Sequence, residues 1–219
     1  MLTYDSRLKD RFPRTEVLTS QIRDIKVERR SAELEKFKEE IVKGVKENYK
    51  LESLKDLAAF KAYRDFFWRV GVDPTKNRPA SEALIRRILG GKPLPSINTF
   101  VDAYNLASIR SEIPLAAFDA EKTRGALYMR FANSGEEFLG IGMEKPMTLK
   151  GGEVVVTDEE KIVAIYPHRD AEDTKITKET RNVILMTCGV PGISTEKLEK
   201  AKSLAIEYVT RFCGGEPES

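Results

Sequence analysis

Hydrophobic positions recur every three or four residues in the first half of the chain and every second residue beyond it. The first pattern belongs to amphipathic helices and the second to strands. Over residues 18–49, Ile22, Ile25, Leu34, Phe37, Ile41 and Val45 form one stripe, which predicts a long charged helix with Gly44 as a weak point. The preceding residues 1–16 read as an edge or lead-in segment around Leu2, Tyr4 and Phe12, broken at Pro13. A second helix is expected over residues 53–70, with Leu54, Leu57, Ala58, Lys61, Phe66 and Phe67 on its inner side and Trp68 as a large anchor. Gly71 and Asp73-Pro74 should end it. A third helix spans residues 79–90, with Pro79 in its first turn and Gly90-Gly91 beyond its end.

Residues 95–119 predict a short helix, a turn and an extended run leading into a sheet. Alternating segments follow at residues 125–132, 137–142, 153–157, 161–166 and 182–188, separated by polar turns. Ser194 or Thr195 should cap a last helix, whose stripe is Leu198, Ala201, Ala205, Tyr208 and Phe212, with Gly214 at its end. Helices, then strands, then a helix define an α+β fold: a mixed or antiparallel sheet flanked by helices, with an N-terminal helical extension. The expected division is residues 1–64 for the extension, packed on the core, and 65–215 for the main domain.

The composition narrows the function classes. The chain has 219 residues, of which 41% are hydrophobic and 33% charged, with a net charge of +2. A nucleic-acid partner would therefore need a local basic patch. Arg29, Arg30, Lys36 and Lys38 could form one, but interleaved acids favour a solvated helix face. No apolar run approaches the roughly 20 residues that span a bilayer, so no membrane partner is expected. The N-terminus has no signal-peptide core, and a cytoplasmic protein is expected. Two cysteines and one histidine, without ligand spacing, make a zinc site or a Cys–His nucleophile pair improbable.

The candidate chemistry gathers in two places. In the helix within residues 95–119, Asp102, Tyr104 and Asn105 lie on or near the apolar face. Buried polar groups must be satisfied, so these side chains either hold the core or line a pocket. Asn98 reads as the helix cap, Asp102 as a partner for an arginine or a catalytic group, and Asn105 as a pocket wall. The second place is residues 166–180 (YPHRDAEDTKITKET), which hold Arg169, Asp170, Thr174 and Lys175 between two expected strands, where loops commonly carry function, although the composition alone favours a solvated inter-strand loop. His168, beside Pro167, reads more readily as ordinary surface. Arg78, Arg86 and Arg87 either grip phosphate or sit as plain surface residues.

Taken in order, RPASEALIRRILGGKPLPSINTFVDAYNLASIRSEIPLAAFD, GEEF, GGEVVVTD and TKITKETRNVILM resemble freestanding B3/B4 domains, the editing module of the phenylalanyl-tRNA synthetase beta subunit. The resemblance covers roughly residues 65–213. It implies hydrolysis of a misacylated tRNA in trans, with no metal and no cofactor. The alternative is a non-catalytic module that binds tRNA or a free amino acid. A family asparagine falls on Asn105, where it would orient substrate or water, and Asp102 or Asp170 would hold the α-ammonium. Arg169 would approach the terminal adenosine, and Arg78, Arg86 and Arg87 the RNA. Tyr104 replaces a threonine, Ala116 a histidine and Lys175 a glutamate that reads tyrosine, which points to altered specificity. No aminoacylation motif is present, so the chain is not a complete synthetase.

Overall fold

The computed structural model describes residues 2–218. The chain opens with β1 (Leu2–Tyr4), α1 (Ser6–Arg11) and β2 (Val17–Arg23). Helices α2 (Ala32–Asn48), α3 (Ala58–Arg69), α4 (Ala80–Leu89) and α5 (Thr99–Ser111) follow. Then come β3 (Leu115–Asp119), β4 (Leu127–Phe131), β5 (Glu137–Phe138), β6 (Met147–Thr148), β7 (Val154–Thr157), β8 (Ile162–Ile165), β9 (Arg169–Asp170) and β10 (Val183–Cys188). Helix α6 (Thr195–Cys213) and β11 (Glu216–Pro217) close the chain. The expected α+β class holds.

Two sheets stack beside a helical layer. One sheet has the order β11-β2-β10-β3 and the other β1-β4-β7-β8-β9, and β5 and β6 form a small hairpin. The alternation along β10 and β3 shows why the layers stack. Val183, Leu185, Leu115 and Ala117 face a core shared with α2, α4, α5 and α6. Met186, Cys188, Ala116 and Phe118 face a second core, shared with the other sheet and with α1 and α3. Both faces of this sheet are buried, as strands in the middle of a layered domain require.

Three expectations change. The long helix over 18–49 begins only at Ala32, because Val17–Arg23 pairs with β10 as a central strand. Its β-branched Val17, Thr19 and Ile22 favour that pairing, and Asp24 at φ 56 then turns the chain. The helical spacing of Ile22 and Ile25 is therefore incidental, and the N-terminal segment contributes strands to both sheets as well as helices. Trp68 is 58% exposed and anchors nothing. It shares the solvent face of α3 with Lys61 and Asp65, while Phe60, Tyr63, Phe66 and Phe67 take the inner face. The strand expected over 137–142 stops at Phe138, and the chain turns at Gly140–Gly142 to lie along β9. Among the described residues, no helix is long and apolar enough to cross a membrane.

Candidate functional site

Two sheet edges meet at β3 and β9. The edge of one sheet is β3 and the edge of the other is β9, and between them lies a cavity of ≈ 140 Å³. Its floor comes from the inward-facing Ala116 of β3 and Met186 and Cys188 of β10. Ala164 to Asp170 form one wall, running from β8 through the turn into β9. Tyr104 and Asn105 of α5 form the opposite wall, with Ala80 of α4 beside them.

Helix α5 places these groups because it is buried on most of its circumference, including Phe100, Ala103, Leu106, Ala107 and Ile109. Such a helix must account for every polar side chain it carries. Most are satisfied internally. Asn98 caps the helix by accepting the Val101 N–H at 2.9 Å, as expected. Ser108 donates to the Ile113 carbonyl at 2.7 Å and Ser111 to the Ala107 carbonyl at 2.8 Å. Asp102 accepts the Ile97 N–H at 3.0 Å and pairs with Lys38 of α2 at 2.7 Å. By contrast, the side chains of Tyr104 and Asn105 open onto the cavity and have no hydrogen-bond partner among the described residues.

The opposite wall is also under-satisfied. His168 Nδ1 is buried without a partner. Asp170 makes no ion pair among the described residues, and only the Ala117 amide supports its carboxylate. Burial pushes the Asp170 carboxyl up to about 7, and the Ala117 amide opposes this only in part. The residue keeps some solvent access at the cavity mouth. Burial pushes the Tyr104 phenol far upward, with the charge of Asp170 adding to it. Burial lowers His168 to about 4, with Arg169 contributing, so the imidazole is neutral near pH 7.

Cys188 and His168 line this one cavity, a meeting the sequence did not disclose. They are not an activated pair. A thiolate–imidazolium pair would lower the thiol and raise the imidazole, whereas burial moves the Cys188 thiol up and the His168 imidazole down. Two tyrosines hold this end of β10. Tyr63 donates to the Cys188 carbonyl at 2.5 Å and Tyr166 to the Gly189 carbonyl at 2.6 Å. Tyr166 thereby becomes a fixed wall of the cavity.

The residues singled out in sequence separate into two groups. Tyr104, Asn105, Ala116, Arg169 and Asp170 converge on the cavity. Arg169 sits exposed at the mouth, packed over Gly140, with its guanidinium donating to the Ile141 carbonyl at 3.4 Å. Asp102 does not join them, and its partner is a lysine rather than the arginine considered. It is only 3 residues from Asn105, but a helix turns by roughly 60° net and rises about 4.5 Å over that step, enough to aim it at α2. Lys38, one of the four cations weighed as an RNA-facing arm, is consumed by this pair.

Thr174 and Lys175 also lie outside the cavity. Asp119 N–H donates to the Thr174 carbonyl at 2.9 Å, and Thr180 donates to the Asp119 carboxylate at 2.7 Å, so this half of the loop is tied to the end of β3. Lys175 pairs with Glu172. Arg86 is bound to the fully buried Glu82 at 2.6 Å, beside a two-point contact from Arg64. Arg87 donates to the Pro93 carbonyl at 2.5 Å. Arg78 is exposed. Among the described residues, no cluster of three or more His, Cys, Asp or Glu is placed to hold a metal.

The fold and the cavity define an α+β domain with a small, incompletely satisfied polar site at the meeting of two sheet edges. The B3/4 domain model matches residues 62–215, and the chain belongs to that family. It is 30% identical over 141 residues to the phenylalanine–tRNA ligase beta subunit of Synechocystis, covering 61% of this chain and 17% of that protein. It is 34% identical over 100 residues to the same subunit of Fusobacterium nucleatum, covering 45% of this chain and 12% of that protein. The chain thus spans less than a fifth of the length of these two relatives. An N-terminal fragment of the phenylalanyl-tRNA synthetase beta subunit from Pyrococcus horikoshii matches in fold, with a TM-score of 0.52 at 15% identity, over 99% of this chain and 50% of that one.

Proposed function

We propose that the protein hydrolyses the ester of a misacylated tRNA, releasing the amino acid from the 3′ end. The observation that carries this reading is the convergence of polar side chains on one cavity: the Tyr104 hydroxyl, the Asn105 amide and the Asp170 carboxylate line it, and His168 Nδ1 is buried there without a partner. A buried group without a partner costs about 1–3 kcal/mol, and a ligand that supplies the missing partner recovers it. An aminoacyl ester does so. Its α-ammonium pairs with Asp170, which holds the carboxylate in its charged form once the cation is present. Asn105 both donates and accepts, and so positions a water against the ester carbonyl.

The reaction asks little of the protein. Water oxygen bonds to the ester carbonyl carbon, the bond to the ribose oxygen breaks, and that oxygen leaves with a proton. The ester is already activated, so positioning and charge stabilisation suffice. Arg169 at the mouth suits the terminal adenosine or its phosphate, and Arg78 is the outer arginine still available to RNA. The family relation to tRNA ligase subunits supports this assignment.

A deacylation panel over mischarged tRNAs tests it. At least one should be hydrolysed well above its spontaneous rate, with Asn105→Ala slower by about 10²-fold or more, the range for one lost transition-state donor. A panel with no rate above background overturns hydrolysis. Binding of tRNA or amino acid without turnover would reassign the cavity to a non-catalytic recognition module.

A further inference from the structure

We infer that the site takes only aminoacyl groups with small side chains, about three heavy atoms or fewer beyond Cα, and rejects aromatic ones. This rests on the aminoacyl reading of the cavity and names the substrate class within it. A closed apolar cavity of about 150 Å³ holds one benzene molecule. The cavity here has ≈ 140 Å³ and opens at a mouth beside Arg169; with the ammonium held inside on Asp170, the space left for a side chain is smaller than one benzene ring. An aromatic side chain alone would fill it. Cavities for larger organic ligands run to about 300 Å³ or more.

The cavity has no inexpensive way to widen. The Tyr104 ring packs against Phe100 with centroids 5.9 Å apart in an edge contact, and Phe100 is fully buried. Turning Tyr104 away would forfeit that contact, worth about 0.5–1.5 kcal/mol beyond the area it buries. On the other wall, the Tyr166 hydroxyl bond to the Gly189 carbonyl at 2.6 Å fixes its ring. The floor is Ala116 and Cys188, already small, and Met186, which is fully buried in the core behind it. The volume is therefore set by two locked aromatic walls. Tyr104 is the residue whose ring decides it, because its hydroxyl has no hydrogen bond among the described residues that would be lost on truncation.

The test measures binding of 3′-aminoacylamino-3′-deoxyadenosines, whose amide cannot be hydrolysed, by calorimetry. Alanyl, seryl, threonyl and valyl analogues should bind at least tenfold more tightly than phenylalanyl and tyrosyl ones. Tyr104→Ala should bring the aromatic analogues to within a few fold of the small ones. Ala116→Leu should reverse the logic by removing valyl and threonyl binding while alanyl binding persists. Equal binding of aromatic and small analogues by the unaltered protein overturns the inference, and so does no binding by any of them. Hydrolysis of an aromatic ester alone in the deacylation panel would leave the proposed reaction standing and sink the size class.

Discussion

The ion pair between Lys38 and Asp102 offers the sharpest separation of a structural role from a catalytic one. Its nitrogen and oxygen are 2.7 Å apart, and the side chains are 9% and 2% exposed. Asp102 adds the Ile97 N–H at 3.0 Å, and Lys38 adds Glu35 at 2.8 Å. Lys38→Met leaves a buried carboxylate with one backbone donor. Removing one partner of such a pair costs about 3–5 kcal/mol. For a chain of this size each kcal/mol moves Tm by about 2–4 °C, so the fall should be about 6–20 °C. Asp102→Leu should cost a similar amount.

The double variant, Lys38→Met with Asp102→Leu, removes both charges. It should be more stable than either single variant, with a residual loss of about 1–3 kcal/mol for the unpaired Ile97 amide. Urea unfolding of the four proteins closes the cycle. Turnover measured well below every Tm should be unchanged per folded molecule. An Asp102→Leu variant that keeps its Tm and loses hydrolysis would refute this role, because Asp102 would then act at the cavity rather than between helices.

The cavity also predicts opposed pH effects on stability. Asp170 has a folded value of about 7, above its ordinary 3.8, so its burial costs nothing in strong acid and destabilises increasingly as pH rises towards 7. His168 has a folded value of about 4, below its ordinary 6.5, so it destabilises as pH falls from 6.5 towards 4. The two trends offset between pH 4 and 6.5. Denaturant titrations should show Asp170→Asn losing stability on acidification and His168→Gln gaining it; parallel curves for the two variants would refute the assignment. Gly140→Ala would put a Cβ 2.4 Å from Arg169 Cδ. It should raise KM several-fold with kcat unaltered, and unchanged kinetics would show that Arg169 does not meet substrate. Arg86→Ala should destabilise by breaking its bond to Glu82 without altering tRNA affinity, whereas Arg78→Ala should weaken tRNA binding at unchanged Tm; the reverse pattern in a filter-binding and melting comparison would exchange their roles.

Local pattern carried most of the elements. The strands at 125–132, 153–157, 161–166 and 182–188 and the last three helices stand close to their expected limits, because their apolar period matches the surface they bury. β2 was lost because a central strand with one stray i,i+3 spacing resembles the start of a charged helix, and only its pairing with β10 distinguishes the two. Within the site, Asn105, Tyr104, Arg169 and Asp170 were visible as polar residues in suspicious places. Cys188 and Tyr166 were not, since each reads as an ordinary strand-end hydrophobe until the sheets are stacked. His168 reads as surface in sequence for a sound general reason, that a lone histidine beside a proline is usually there. The signal that reverses this is its unpaired Nδ1, which no sequence can report.

The contrast within α5 explains how a buried helix can serve core and site together. Asp102 and Asn105 are a single step of three apart, and both are polar residues on a helix that is mostly enclosed. Lys38 reaches across from α2 to meet the first, so its charge is neutralised and its geometry fixed. Among the described residues no comparable partner reaches Asn105, since it looks towards a gap between sheet edges rather than towards another helix. A side chain left unpaired there is held by its backbone alone. The structural pair and the open amide thus divide the work of one helix: the first adds stability on the side facing α2, and the second, on a backbone already held by the buried Phe100, Ala103, Leu106 and Ala107, stays open to a ligand. Loosening the Lys38 pair should therefore show as lost stability, while turnover per folded molecule, which depends on Asn105, is kept.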